Sequence, residues 1–218
     1  MTTPNPEQPE LPENEKENDL IVFPQFFDNE SKSRLLGMYG EVNEDRSKAA
    51  VASLYYFRET GLIEEEIESE EDEETIVKTS YLPIDFIVST EGGSVTDMFA
   101  LYDCLREVRK DCEIISFGIG KVMSAGVLLL AGGTKGKRKI GRNCRLMLHA
   151  ISGGHFGSLK ELETDIKEVK WYQSRYIKTL AEETNLTEKK IRAIFRKKTD
   201  TYFDAQQAVE WGIADEIV

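Results

Sequence analysis

Residues 83–131 read PIDFIVSTEGGSVTDMFALYDCLREVRKDCEIISFGIGKVMSAGVLLLA, and their pattern decides the fold. The run 83–90 is apolar and rich in β-branched and aromatic residues, as a buried strand requires. Glu91, Gly92 and Gly93 read as a turn. Val95, Met98, Leu101, Tyr102, Leu105 and Val108 then recur at helical spacing. Residues 112–120, CEIISFGIG, form a second strand. Residues 124–131, SAGVLLLA, are apolar on every side, which suits a fully buried helix. Strand–helix units in succession predict an α/β fold on a mostly parallel sheet, with a site at the carboxyl ends of its strands.

The flanking sequence extends this pattern. Upstream, 33–40 reads as a strand and 43–60 as a helix, with Ala49, Ala50, Ala52, Leu54 and Tyr55 as core positions. Downstream, 139–150 forms a third strand region ending in LMLHA. Ser158 and Glu161 have capping-box spacing ahead of a long amphipathic run. Its apolar positions are Leu159, Leu162, Ile166, Val169, Tyr172, Tyr176 and Leu180. Asp204 and Gln207 start a short helix in the same way, ending at Trp211 and Gly212, and IADEIV closes as an edge strand.

Charge marks the appendages. Acids outnumber bases 40 to 28, a net charge of −12 that argues against a general nucleic-acid binder. Residues 1–19 carry six acids and one base, and 64–74 (EEEIESEEDEE) carry nine acids and no base, so the rest of the chain is nearly balanced. Residues 1–18 hold four of the six prolines and almost no large apolar side chain, so they read as a disordered tail. Residues 19–27, DLIVFPQFF, are either a short strand or a docking segment. The acidic run 64–74 reads as a solvated loop inserted in one domain spanning 19–218. No apolar stretch is long enough to span a membrane, and the N-terminus lacks a secretory signal's basic start and apolar run. Cys104, Cys112 and Cys144 show neither disulfide pairing nor metal-ligand spacing, so a reducing, cytoplasmic setting without a metal is expected.

Few residues can do chemistry. There are two histidines. His149 ends an apolar strand and is either structural or functional, whereas His155, in SGGHFG, reads as a solvated loop residue. Ser124 lies between a strand and the apolar helix. It is either a plain helix N-cap or a nucleophile beside unpaired helix N–H groups able to hold an oxyanion. Gly92 and Gly93 are either a tight turn or a source of outward-facing amides. Asp204 is accounted for by capping. Asp200 has no such duty and is the better candidate to orient a histidine.

Four segments occur in a telling order: EGGSVTDMFALYDCLR (91–106), GKVMSAGVLLLAGGTKGKR (120–138), NCRLMLHAISGG (143–154) and DTYFDAQQAVEWGIADEIV (200–218). Together they resemble the ClpP family of serine peptidases, over roughly residues 33–218. The resemblance implies a ClpP/crotonase-like spiral of strand–helix units with a protruding handle helix from Ser158. It implies Ser124 as nucleophile, His149 as base and Asp200 as orienting acid. The amides of Gly93 and Ala125 resemble the oxyanion hole, and Gly92, Ile151, Gly153 and Gly154 the positions that hold extended substrate. The expected substrates are polypeptides. The expected assembly is a homo-oligomeric barrel, a tetradecamer of two stacked rings, served by a separate AAA+ ATPase unfoldase and needing no cofactor. Three departures stand out: Ser89-Thr90-Glu91-Gly92-Gly93 replaces the family's N-S-P-G-G, the N-terminal axial segment is different, and the acidic run is extra. The alternatives are an inactive subunit of a mixed assembly, a dedicated phage or processing protease without an ATPase, and a crotonase-like acyl-CoA enzyme.

Overall fold

A computed structural model describes residues 33–68, 75–154 and 156–218. The expectations for 1–18, for 19–27, for 69–74 and for His155 lie outside these described residues.

The chain opens with β1 (Leu35–Val42) and α1 (Glu44–Thr60), capped by the Asn43 side chain. An antiparallel hairpin of β2 (Leu62–Glu68) and β3 (Thr75–Tyr81) stands apart as its own two-stranded sheet. Then β4 (Ile84–Gly93), α2 (Val95–Val108), β5 (Ile114–Met123) and α3 (Ala125–Ala131) follow as the alternation predicts. They are followed by β6 (Lys139–Ile140), β7 (Arg145–Leu148), α4 (Leu159–Glu183), α5 (Glu188–Phe195), β8 (Thr201–Phe203), α6 (Ala205–Glu210) and β9 (Glu216–Ile217). The main sheet has seven strands, and all its pairs are parallel except β7 with β8. Among the described residues, no helix is long and apolar enough to cross a membrane.

The sheet divides along β5. Phe117 and Gly118 pair with β6, whereas Lys121, Val122 and Met123 pair with β7. The core lies between β4, β5 and the helices α2 and α3: Ile84, Phe86, Val88, Leu101, Leu105, Ile114 and the whole of α3 are buried.

Four local expectations change. The acidic run is not loop throughout: Glu64, Glu65 and Glu66 sit in β2, opposite Thr79, Lys78 and Val77. Their side chains all face water, so strand pairing costs no burial of charge, and Lys78 lies across from Glu65. In α1, Ala50 and Leu54 are buried but Ala52 and Tyr55 are exposed, because one narrow stripe of the helix meets α2. Gly92 and Gly93 are not a turn. They continue β4, paired with Glu41 and Val42 after a register shift in β1. The strand β8 and the helix α5, which the periodicity did not reveal, complete the C-terminal region.

Two buried ion networks join distant segments. Arg138 donates from Nε to Asp215 Oδ2 at 2.9 Å and from Nη1 to the Glu183 carbonyl at 2.8 Å. This ties the GTKGKR segment to the end of the chain. Glu183, at the last turn of α4, accepts from Arg109 Nη2 and from the Tyr102 hydroxyl, each at 2.6 Å. Burial alone would push the Glu183 carboxyl up, but the bonds from Arg109 and Tyr102 outweigh it and hold the group below its ordinary range. These bonds root the C-terminal half of α4, where Tyr176, Ile177, Thr179 and Leu180 are buried. The other half projects: Leu159, Ile166 and Trp171 are exposed.

Glu183→Ala leaves the Tyr102 phenol without its acceptor and the Arg109 guanidinium with only the Gly132 and Gly133 carbonyls and no counter-charge, and is expected to cost about 3 kcal/mol or more. A depressed carboxyl stabilises the fold above its unfolded-state pKa and loses that effect as pH falls through the folded value. The gap between wild type and variant should therefore be full at neutral pH and shrink in acid below the ordinary glutamate range. Paired denaturant melts across pH measure it.

Candidate active site

At Ser124 the chain passes from β5 into α3 without an intervening loop. The residue adopts φ 53° and ψ −116°, and among the described residues it is the one non-glycine at positive φ. Such a conformation costs on the order of 1–3 kcal/mol and persists only where neighbours over-determine it. Here they do: the Ser124 N–H donates to the Met147 carbonyl at 2.8 Å. The Ser124 carbonyl accepts from the Val127 N–H at 3.1 Å and from the Tyr176 hydroxyl at 3.0 Å. The turn swings Oγ away from the helix amides, so although Ser124 occupies the N-cap position, its side chain makes no capping bond. Instead Oγ lies 2.8 Å from His149 Nε2. Of the two sequence readings, the plain cap fails.

Strand register delivers the histidine. β7 runs parallel to the end of β5, Met123 beside Met147, so His149 emerges at the mouth of the same crevice. β8 then runs antiparallel to β7 with Thr201 opposite Leu148, which brings Asp200 alongside His149. Asp200 Oδ1 lies 3.8 Å from His149 Nδ1, within ion-pair range but beyond a hydrogen bond. Asp204 is occupied: its side chain accepts from the Gln207 N–H at 2.9 Å in a complete capping box. The structure thus brings Ser124, His149 and Asp200 together and leaves Asp204 out.

These residues open on a cleft of about 630 Å³ lined by Glu41, Gly92, Gly93, Ser124, Ala125, His149, Ile151 and Tyr176, with Met98 at its wall. Gly92 has φ 99°, and a Cβ there would stand 2.6 Å from the Ser124 Cβ and 3.2 Å from the Ala125 nitrogen. A Cβ at Gly93 would strike the Val42 carbonyl at 2.2 Å. Both positions need glycine, for backbone conformation and for close approach. Ile151 lines the cleft, while Gly153 and Gly154 lie beyond it on exposed backbone. The departure at Ser89–Gly93 has a local logic. The Thr90 hydroxyl donates to the Gly40 carbonyl and accepts from the Gly92 N–H, pinning β4 to β1. Glu91 turns outward to Lys121 at 2.6 Å, whose hydrogen bond lowers the Glu91 carboxyl's pKa.

The other candidates fall away. Cys104, Cys112 and Cys144 are buried, and burial pushes the thiols of Cys104 and Cys144 up to about 11. Among the described residues no group of three His, Cys, Asp or Glu is placed to hold a metal ion. Two site residues escaped the sequence reading. Tyr176 looked like one more apolar position of a long helix, and Thr90 one more residue of a strand. Only tertiary contacts distinguish them.

The Clp protease family profile matches residues 25–218. The chain is also 30% identical over 199 residues to the ATP-dependent Clp protease proteolytic subunit 1 of Leifsonia xyli subsp. xyli (strain CTCB07), covering 91% of this chain and 90% of that protein.

Gly92→Ala is expected to push Ser124 out of line. A displacement near 1 Å should slow labelling of Ser124 by a fluorophosphonate at least roughly tenfold. Probe-labelling rates, compared with a thermal melt of the same variant, provide the check.

Proposed function

The chain belongs to the Clp protease family, and from its elbow serine and strand-end histidine we propose that it is a serine endopeptidase cleaving unfolded polypeptides. The observation that carries this is the 2.8 Å contact between Ser124 Oγ and His149 Nε2 on a strained backbone. A serine held in that conformation without a capping bond has no evident structural reward.

In the proposed reaction Ser124 Oγ attacks the scissile carbonyl carbon while His149 Nε2 accepts the hydroxyl proton. The carbonyl oxygen becomes an oxyanion held by the N–H groups of Gly93 and Ala125. The intermediate collapses to an acyl-enzyme, and His149 gives its proton to the departing amine. Water then attacks the ester, again through His149, and releases the acid. Asp200 accepts from Nδ1–H, fixes the tautomer and stabilises the imidazolium. Its 3.8 Å separation closes when substrate seats, as catalytic contacts commonly tighten on binding. Apart from the attacking water, every step uses groups of the chain, so the mechanism calls for no cofactor.

Substrate lies extended across Gly92 and along 151–154, where exposed Gly153 and Gly154 offer backbone for strand addition. The projecting half of α4 presents Leu159, Ile166 and Trp171 to a second copy, consistent with stacked rings in a tetradecamer. The relative's name, the proteolytic subunit of an ATP-dependent protease, supports a separate ATP-using partner, which in this reading is an AAA+ unfoldase.

Two measurements test the reading. Native mass with and without a fluorophosphonate should show a large oligomer carrying one probe per subunit at Ser124. A monomer retaining full peptidase activity would rule out the barrel. Asp200→Asn keeps the shape but offers the imidazole the wrong partner, so turnover should fall at least roughly a hundredfold with stability nearly unchanged. Asp204→Asn should leave both near wild type, because asparagine caps a helix about as well. The reverse pattern would show that the acid is misassigned.

A further inference from the structure

Tyr176 meets the site from α4. It lies on the buried half of α4, its ring stacked on Phe195 with centroids 5.8 Å apart, and its hydroxyl donates to the Ser124 carbonyl at 3.0 Å. That carbonyl belongs to the peptide joining Ser124 to Ala125. A trans peptide is planar, with its C=O and N–H pointing in opposite directions. A donor that holds the carbonyl therefore also sets the direction of the Ala125 N–H. Tyr176 and Ala125 both border the cleft that holds Ser124 and His149.

Resting on the serine-peptidase reading, we propose that Tyr176 is a positioning residue for the oxyanion hole: its hydroxyl locks the Ser124–Ala125 peptide so that the Ala125 N–H faces the reacting carbonyl. The Val127 N–H bond to the same carbonyl, at 3.1 Å, is a local i→i+3 contact of the first helical turn, a class of bond with poorer geometry. The Tyr176 bond comes from a different element and supplies a second, independent direction. Ser124 is strained at φ 53° and ψ −116°: the Met147 carbonyl holds its N–H on one side, and the Tyr176 hydroxyl holds on the other the peptide whose plane ψ sets. A bond to the carbonyl also polarises the peptide, making its N–H a better donor as negative charge develops. Burial raises the Tyr176 pKa far above neutrality, so the hydroxyl remains a donor throughout the working range.

The test is Tyr176→Phe in the full chain, which removes one hydroxyl and keeps the stacked ring. Loss of orientation of one oxyanion donor should lower kcat roughly ten- to hundredfold, somewhat less than removing a donor outright. KM for a short peptide should stay within about twofold, because the ground-state carbonyl gains little from the hole. A peptide aldehyde, which forms an anionic hemiacetal with the serine, should lose affinity by the same factor as kcat, whereas the matching peptide alcohol should not. The loss should be the same at every pH across the working range. Rates are taken per site titrated by the fluorophosphonate, so partial misassembly does not enter. Phe195→Leu is the control: it disturbs the stack but keeps the hydroxyl, and should lose stability while kcat per site holds. Unchanged kcat in Tyr176→Phe, or an equal fall in Phe195→Leu, overturns the inference while the peptidase reading stands. An unlabelled wild type, or a Ser124→Ala variant with full activity, overturns the peptidase reading and this inference with it.

Discussion

The structure turns on the division of β5 between two neighbours. Along one edge Phe117 and Gly118 pair with β6 and the last three residues with β7. A single long partner would carry the sheet past Ser124 as ordinary strand. The short β7 instead ends level with it, and the Met147 carbonyl takes the Ser124 N–H. The same register places His149 across from the serine, and the antiparallel addition of β8 places Asp200 behind the histidine. Three side chains from three chain segments thus converge because of two strand pairings. Sites carried on such rigid elements retain their geometry best.

Around that core, charge is used sparingly and in depth. Arg138 with Asp215 and Arg109 with Glu183 connect residues far apart in sequence, and each acid is held below its ordinary range despite burial. For Asp215, burial works against ionisation, but the Arg138 side chain, the Arg138 and Gly136 amides and the Arg138 charge outweigh it. Removing one partner of such a pair costs more than the pair itself contributes. These ties anchor the C-terminal half of α4 and leave its other half projecting. One helix therefore both props the elbow through Tyr176 and presents apolar side chains outward.

The acidic hairpin shows how charge and secondary structure can be compatible. Like charges in sequence suggested a loop, because neighbours repel. In β2, successive side chains alternate between faces and both faces are wet, so the repulsion is divided and screened. Pairing opposite Lys78 and Thr79 asks nothing of the core, and so the hairpin can stand apart from the main sheet.

Much of this was legible in the sequence. Apolar runs and helical spacing located β4, α2, β5 and α3. Capping boxes located the starts of α4 and α6, and the order of four motifs indicated the family and singled out Ser124, His149 and Asp200, three residues that the fold brings side by side. These features are local or depend on order along the chain, and a single sequence records both. What it does not record is which strand ends lie side by side and which hydroxyl meets which carbonyl. The extended rather than turned path of Gly92 and Gly93 depends on pairing with β1. The existence of the three-residue β8 depends on β7. The failure of Ser124 to cap its own helix depends on a backbone angle that only the surrounding contacts can hold. Tyr176 has the same periodicity as its apolar neighbours on α4. Its bond to the serine carbonyl arises from long-range packing, which brings together residues 52 positions apart.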